Sequence, residues 1–336
     1  MIAVVTGGSG FIGRNLVGRL LADGHTVRCL TRPESRGVPD GCSAWPVEFD
    51  NAASLAATDA LTGADVVFHL AGATQAVRAR DFDAANVLPT RNLLCAIAER
   101  RLGARFVYVS SQAAAGPAAG PSATVVESDA PRPVESYGRS KLAAEHVVEG
   151  FADRVRTTIV RPCAVFGPWD RGFHAMFSLA ARGVVFYPGV AAHTLSLLHV
   201  SDVVDGLLLA ATSERAASRT FFLASDQPVA WRRIGEEIAG AVGRSVRHVN
   251  IPWPLVMAAS TVGDLIGALT GTTSLANRSK AELARHAAWH CSAARAREEL
   301  GFRQRRSLPE ALRETYLWYS RNGWIPGARR ANPSGT

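Results

Sequence analysis

Thr6-Gly7-Gly8-Ser9-Gly10-Phe11-Ile12-Gly13 ends the apolar run Ile2–Thr6 and opens an amphipathic stretch that continues to Ala22. An apolar, β-rich run, a glycine-rich turn and then a helical pattern make the first half of a βαβ unit. The spacing of Gly7, Gly10 and Gly13 has a chemical meaning. Without side chains the backbone comes close to a pyrophosphate, whose charge the free amides of a helix N-terminus stabilise. The same glycines would also serve a bare strand-to-helix turn. Their place directly after an N-terminal strand favours dinucleotide binding by Gly7, Gly10, Phe11, Ile12 and Gly13.

Outward from this turn, short β-branched runs alternate with longer helical patterns. Strands are expected at Ile2–Thr6, Thr26–Thr31, Ala44–Glu48, Val66–Leu70, Phe106–Ser110 and Thr157–Arg161, and helices near Phe11–Ala22, Ala52–Leu61, Ala85–Arg101 and Ser136–Glu149. Strictly alternating strands and helices predict an α/β chain of the Rossmann type, with a doubly wound parallel sheet. Beyond Arg161 the pattern loosens, while Leu197–Val200 and Thr220–Leu223 read as strands returning to the sheet. The expected division is a dinucleotide-binding domain over 1–165 rejoined by 195–225. A smaller, discontinuous C-terminal substrate lobe spans 166–194 and 226–325, and a flexible tail covers 326–336.

Composition fits this reading. The 336 residues are 47% hydrophobic and 20% charged, enough for a large core and more than one lobe. The net charge of +8 comes from basic residues spread along the chain, with no stripe or arm that would mark a nucleic-acid binder. Of the 37 basic residues only Lys141 and Lys280 are lysines, a bias against which a retained lysine suggests a position arginine would not serve. Five scattered cysteines, Cys29, Cys42, Cys95, Cys163 and Cys291, have no metal-ligand spacing and are expected as reduced, buried thiols. The first strand begins at once after Met1, so a secretion signal is not expected and a cytoplasmic location is. The longest apolar stretch, Ile251–Leu269, is broken by Pro252, Pro254 and Asp264. It falls short of the roughly 20 apolar residues of a membrane span but is compatible with peripheral membrane contact. The expected partners are a small-molecule substrate and a second copy in a homodimer, with no nucleic acid.

Two further segments carry chemistry. The second strand ends Arg28-Cys29-Leu30-Thr31-Arg32, where an NAD-preferring enzyme usually places an acid against the ribose hydroxyls. Thr31 has no charge to repel a 2′-phosphate and Arg32 offers a planar fork to clamp one, so NADP(H) is favoured over NAD(H). A solvent-facing Arg32 is the plain alternative. In Tyr137-Gly138-Arg139-Ser140-Lys141, Tyr137 and Lys141 stand one helical turn apart on one face. A tyrosine with a pKa near ~10 becomes a useful acid–base group when a neighbouring ammonium lowers it. A strand ending in Ser110-Ser111 supplies a hydroxyl for a substrate oxygen.

These pieces together resemble the extended short-chain dehydrogenase/reductase, or NAD-dependent epimerase/dehydratase-like, family over nearly the whole chain. The matching segments are TGGSGFIG (6–13), Asp50 after the third strand, HLAGAT (69–74), NVLPTRN (86–92), VYVSSQAAAG (107–116), YGRSK (137–141), VRPCAVFGP (160–168) and LLHVSDVVDGL (197–207). The resemblance implies that Ser111, Tyr137 and Lys141 are catalytic and that Gly7, Gly10 and Gly13 carry the pyrophosphate. It also implies that Asp50 contacts the adenine, Ala71 lies along the cofactor and Lys141 bonds the nicotinamide ribose. His69, Asn86 and His199 also occupy family positions and are read as structural.

Departures from the family pattern narrow the reaction. Dehydratases of the family carry an acidic pair after the catalytic hydroxyl, where this chain has Gln112-Ala113. Nucleotide-sugar enzymes hold the diphosphate with arginines at two places, here occupied by Leu195 and Glu282; Arg278 or Arg285 are the available substitutes. Trp253, Leu255, Val256, Met257, Leu265, Ile266 and Leu269 either pack the lobe or line an apolar cleft, and the region resembles hydroxysteroid-dehydrogenase-like and hopanoid-cluster members. The expected activity is hydride transfer at a hydroxyl or ketone of a largely apolar small molecule, with Tyr137 as acid–base. A nucleotide-sugar epimerase is the alternative, and a non-catalytic cofactor sensor a third reading that the intact Ser-Tyr-Lys set disfavours.

Overall fold

The computed structural model describes residues 1–189, 193–270 and 278–325. Seven parallel strands form its central sheet: β1 (Ile2–Thr6), β2 (Thr26–Thr31), β3 (Ser43–Pro46), β4 (Val66–His69), β5 (Arg105–Val109), β6 (Thr157–Pro162) and, after four strands outside this sheet, β11 (Arg219–Leu223), in the order β11-β6-β5-β4-β1-β2-β3. The order reverses between β1 and β4, the switch point at which doubly wound sheets open a crevice beyond the strand C-termini. Alternation along β1 shows how the sheet is buried. Ala3 and Val5 join one core with Leu16, Val17 and Leu20 of α1 (Phe11–Ala22), whereas Val4 joins the opposite core with Leu55, Leu93 and Ile97. Period-two side chains with both faces covered define a buried parallel sheet.

Helices α2 (Ala52–Ala57), α3 (Ala79–Glu99) and α5 (Ser136–Glu149) cover one face, and the four-residue α4 (Gln112–Ala115) follows β5. The helix expected over Ala52–Leu61 is interrupted, because Thr58 turns extended and its hydroxyl accepts from the Ala60 amide to start a separate 3₁₀ turn. The helix expected from Ala85 starts at Ala79 instead. Its polar first turn looks like loop in the sequence, but the Asp81 carboxylate accepts from the Arg78 amide and closes the N-terminus.

A third apolar core lies outside the sheet, built on Phe177 of α6 (Arg171–Ala181), Val185 and Tyr187 of β8 (Val184–Pro188), Ile234 and Ile238 of α8 (Trp231–Val242), and Leu312 and Tyr319 of α12 (Leu308–Arg321). The expectation for Leu197–Val200 requires correction. That segment, β10 (Leu197–His199), does not rejoin the main sheet but pairs in parallel with β7 (Ala164–Phe166), and its last residue caps α7 (Val200–Thr212). Short pieces β9 (Thr194–Leu195), β12 (Val229–Ala230) and β14 (Ala288–Trp289) form a separate three-stranded sheet, and β13 (Arg247–Ile251) pairs with β8. The remaining helices are α9 (Trp253–Thr270), α10 (Arg278–Arg285) and α11 (Ala294–Leu300). The tail expected from Pro326 lies outside the described residues.

The cysteines are not uniformly buried as expected. Cys29, Cys163 and Cys291 are, Cys42 and Cys95 are half-buried, and the Cys29 and Cys42 sulfurs lie 3.4 Å apart as free thiols.

Candidate active site

The glycine turn holds its shape by close approach. Gly7 has φ +71°, and a methyl group there would stand 2.8 Å from the Ala71 amide nitrogen; at Gly13 it would stand 2.1 Å from the Gly7 carbonyl oxygen. Side chains cannot fit at either position. Gly10 precedes α1 without any side-chain cap, so the first amides of α1, from Phe11 and Ile12 onward, face outward with no internal acceptor. An uncapped helix N-terminus beside a turn that excludes side chains fits a dinucleotide pyrophosphate. Ala71 sits across this turn, its amide donating to the Thr6 hydroxyl at 3.0 Å.

Arg14, which the sequence did not single out, supports the loop. Its guanidinium donates to the Ser9 carbonyl at 2.9 Å and the Gly37 carbonyl at 2.5 Å, and lies 4.4 Å from the Trp169 ring centroid. The turn is thereby tied to the segment after β2. Arg32 begins that segment, largely exposed, with Glu34 at 3.4 Å. Asp50 is exposed in the turn between β3 and α2.

Ser111 and Tyr137 are brought together through a third residue. A methyl at Gly138 would stand 2.3 Å from the Ala113 carbonyl oxygen, so only glycine allows α5 to approach α4 this closely. Ser111 is the N-cap of α4, its hydroxyl accepting from the Ala113 amide at 3.1 Å, and it stands close enough to the Tyr137 phenol to lower its pKa. Glu135 caps α5 with both carboxylate oxygens, accepting from the Tyr137 amide at 2.5 Å and the Gly138 amide at 2.6 Å. Lys141, one turn along, is buried; its Nζ donates to the Val109 carbonyl at 2.7 Å and lies 4.7 Å from the Tyr108 ring centroid.

Electrostatics here depart from expectation. Burial pushes the Tyr137 phenol up to about 12, with Ser111 lowering it and Glu135 raising it in smaller measure. The Lys141 ammonium is itself pulled down to about 8 by burial, against a raising influence from Glu145. Desolvation disfavours the charged form of each, and Ser111 favours the phenolate against it. His69, fully buried under β4, is held neutral, down to about 3, by burial and then by the Lys141 charge. Its ring nitrogens bond the hydroxyls of Thr6 (2.7 Å) and Thr90 (2.9 Å). Asn86 bonds both the amide (2.7 Å) and carbonyl (3.1 Å) of Ala73 and reaches Ser140 Oγ at 2.8 Å. A side chain on Gly72, next to Ala71, would lie 3.9 Å from Lys141 Nζ. The glycine turn and the Tyr-Lys helix therefore share one crevice.

A charged network behind Lys141 escaped the sequence. Glu145, fully buried one turn beyond the lysine, accepts from Arg161 Nε (2.9 Å) and Nη2 (2.6 Å) and from the Ser110 hydroxyl. The i, i+4 spacing from Lys141 is its only signal in the sequence, and that spacing reads equally as a surface ion pair.

Leu195 is buried in β9, and Glu282 faces His286 at 3.6 Å on α10. Arg278 lies 3.8 Å from Asp264 of α9, and Arg285 is exposed. Of the apolar residues of α9, Leu255, Leu265, Ile266 and Leu269 are exposed and do not pack the lobe, whereas Trp253, Val256 and Met257 are half-buried.

Comparison with known proteins accords with this geometry. Residues 3–224 match the model of the NAD dependent epimerase/dehydratase family. The chain is similar to a ceramide reductase of Caulobacter vibrioides, 28% identical over 97% of this chain and 96% of the relative. It is also similar to a 4-hydroxy-2-methyl-3-oxo-4-farnesyl-3,4-dihydroquinoline-1-oxide ketoreductase of Stigmatella aurantiaca, 33% identical over 79% of this chain and 80% of the relative. Among solved structures, MoeE5 in complex with UDP-glucuronic acid and NAD superposes with a TM-score of 0.75 at 26% identity, over 96% of this chain and all of the other.

Proposed function

Because the chain belongs to the NAD dependent epimerase/dehydratase family, we propose that it is a nicotinamide-dependent oxidoreductase acting on a hydroxyl or ketone of a largely apolar small molecule. The observation that carries this reading is the placing of Ser111 beside the Tyr137 phenol, with Lys141 one turn along α5 and close to the Ala71–Gly72 segment that closes on the glycine turn. Gly7, Gly10, Phe11, Ile12, Gly13 and Ala71 would hold the dinucleotide, with Asp50 toward the adenine and Lys141 toward the nicotinamide ribose. A nicotinamide held there would supply the hydride chemistry at the substrate carbon. Tyr137 gives the proton to the substrate oxygen in reduction and takes it in oxidation, and Ser111 bonds the same oxygen. A phenol raised to about 12 is protonated at neutral pH, which is the form reduction requires. Lys141 spends one of its three hydrogens on Val109, leaving two for a ribose hydroxyl. The apolar substrate class is supported by the ceramide and farnesyl compounds named for the two relatives. Spectrophotometric assay of ketone and alcohol panels with both cofactors tests the proposal; no turnover of either class would remove it.

NADP(H) is the proposed cofactor, since Thr31 is uncharged and Arg32 stands free at the end of β2 with only an exposed partner, Glu34. Arg32→Ala is expected to weaken NADPH binding about tenfold or more and NADH binding little, as read by fluorescence titration. An unchanged preference would make Arg32 a surface charge only.

An epimerase is the second reading, favoured by the likeness to MoeE5 with its UDP-sugar and NAD. Against it, Leu195 and Glu282 leave a diphosphate poorly neutralised. UDP- and dTDP-sugars are expected to bind weaker than about 1 mM by calorimetry, and micromolar binding would promote the epimerase.

A further inference from the structure

In a water-soluble chain the apolar stripe of a helix faces inward; α9 does the reverse. Leu255, Val262, Ile266 and Leu269, spaced by seven, four and three residues, share one face and are 60, 56, 52 and 80% exposed, with Leu265 beside them at 61%. The inward side is lined by small residues, Ser260, Gly263 and Gly267, and among the described residues none of α9 belongs to any of the three apolar cores. The exposed surface continues off the helix. Phe186 of β8 and Val249 of β13 are register partners, hence on one face, and are 39 and 38% exposed. Trp253, at the start of α9, lies within contact distance of Gly189 at the end of β8.

Charge decides what such a surface suits. Between Arg244 and Arg285 the sequence has five basic residues against two acidic ones. Arg247 of β13 and Arg285 of α10 are exposed, whereas the one acid in α9, Asp264, is turned toward Arg278 of α10, 3.8 Å away. A second copy would bring like charges together around its apolar stripe; an anionic lipid surface brings opposite ones. Among the described residues, no helix is long and apolar enough to cross a membrane, and an 18-residue helix can lie in the interface with one face in the acyl boundary. We propose that α9, with the outer face of β8 and β13, docks this protein on an anionic bilayer surface. Helix α10, which packs on α9, reaches the candidate active site, because its Ser279 donates to the Glu135 carboxylate at 3.1 Å, two residues before Tyr137. An apolar substrate leaving the bilayer would meet the crevice from this side.

Flotation with vesicles of phosphatidylcholine alone and of equimolar phosphatidylcholine and phosphatidylglycerol tests the proposal without any substrate or cofactor. The full chain is expected to float with the anionic vesicles, less with the neutral ones, and Leu265→Gln/Ile266→Gln/Leu269→Gln to lose at least about tenfold of that binding. Wild-type protein that stays at the bottom of both gradients would overturn the proposal whatever the variant does, and so would a folded variant that floats as wild type does. Light scattering separates the competing occupant: a wild-type dimer that the triple substitution converts to monomer would assign the stripe to a second copy and overturn lipid docking.

Discussion

Tyr137→Phe is expected to lower turnover by roughly 10²–10⁴-fold, the usual worth of a positioned acid–base group, while fold and cofactor affinity survive. The change keeps the ring that packs beside Phe82, with centroids 6.1 Å apart, and removes only the hydroxyl, whose pKa Ser111 lowers. Lys141→Met should be as damaging and should also weaken cofactor binding, because it removes the proposed ribose contact together with a buried ammonium beside Tyr108. The pH dependence has a definite sign. Tyr137, at about 12, stays protonated over the working range, whereas Lys141, lowered to about 8, is charged below that pH and neutral above it. Ketone reduction by the wild type should therefore hold steady below about pH 8 and fall as pH rises through it. Ser111→Ala should lower turnover, leave cofactor affinity nearly unchanged and retain that fall. Rate against pH for the wild type and the three variants is the measurement. A Tyr137→Phe enzyme with near-normal rates would show that another group moves the proton.

Arg161→Met is expected to cost about 3–5 kcal/mol of folding stability, read as the shift of a urea unfolding curve, because it leaves the fully buried Glu145 carboxylate without its counter-ion. Glu145→Gln on the same background should recover part of the loss, since a neutral amide beside Ser110 no longer needs a charge partner. Losses that simply add would mean the pair is not coupled. Glu145→Gln alone has a second readout. Glu145 raises the Lys141 ammonium against its burial, so removing the charge should move the fall in reduction rate to lower pH. A structural role alone would leave the pH profile in place.

The α/β alternation and the glycine turn were legible because they are local. A strand followed by glycines at fixed spacing requires only backbone geometry, and each Gly7 or Gly13 Cβ clash involves residues nearby in the chain or on the next strand of the same crevice. Tyr137 and Lys141 were legible for the same reason, being one helical turn apart. The start of α3 was missed because Ala79–Ala84 has the composition of a loop, and its stability as a helix comes from a cap at Asp81 and from packing of Phe82. The destination of Leu197–His199 was misread because a three-residue apolar strand pairs equally well with any open edge.

By itself, then, the sequence determined the parallel doubly wound sheet, the glycine turn after β1 and the placing of Tyr137 one helical turn before Lys141, all of them patterns written in spacing along the chain. Only the tertiary structure decided the electrostatics and the surface. Tyr137 is raised rather than lowered, because the burial that costs a phenolate its solvation outweighs the stabilising influence of Ser111, and burial is a property of everything packed around it. The partners of Glu145 come from β6 and the end of β5, 16 and 35 residues away. Whether Leu265, Ile266 and Leu269 face a core or the solvent likewise depended on what other segments bring to α9, and they bring no core to that face. Apolar residues at helical spacing specify a face, and the rest of the fold determines what it meets.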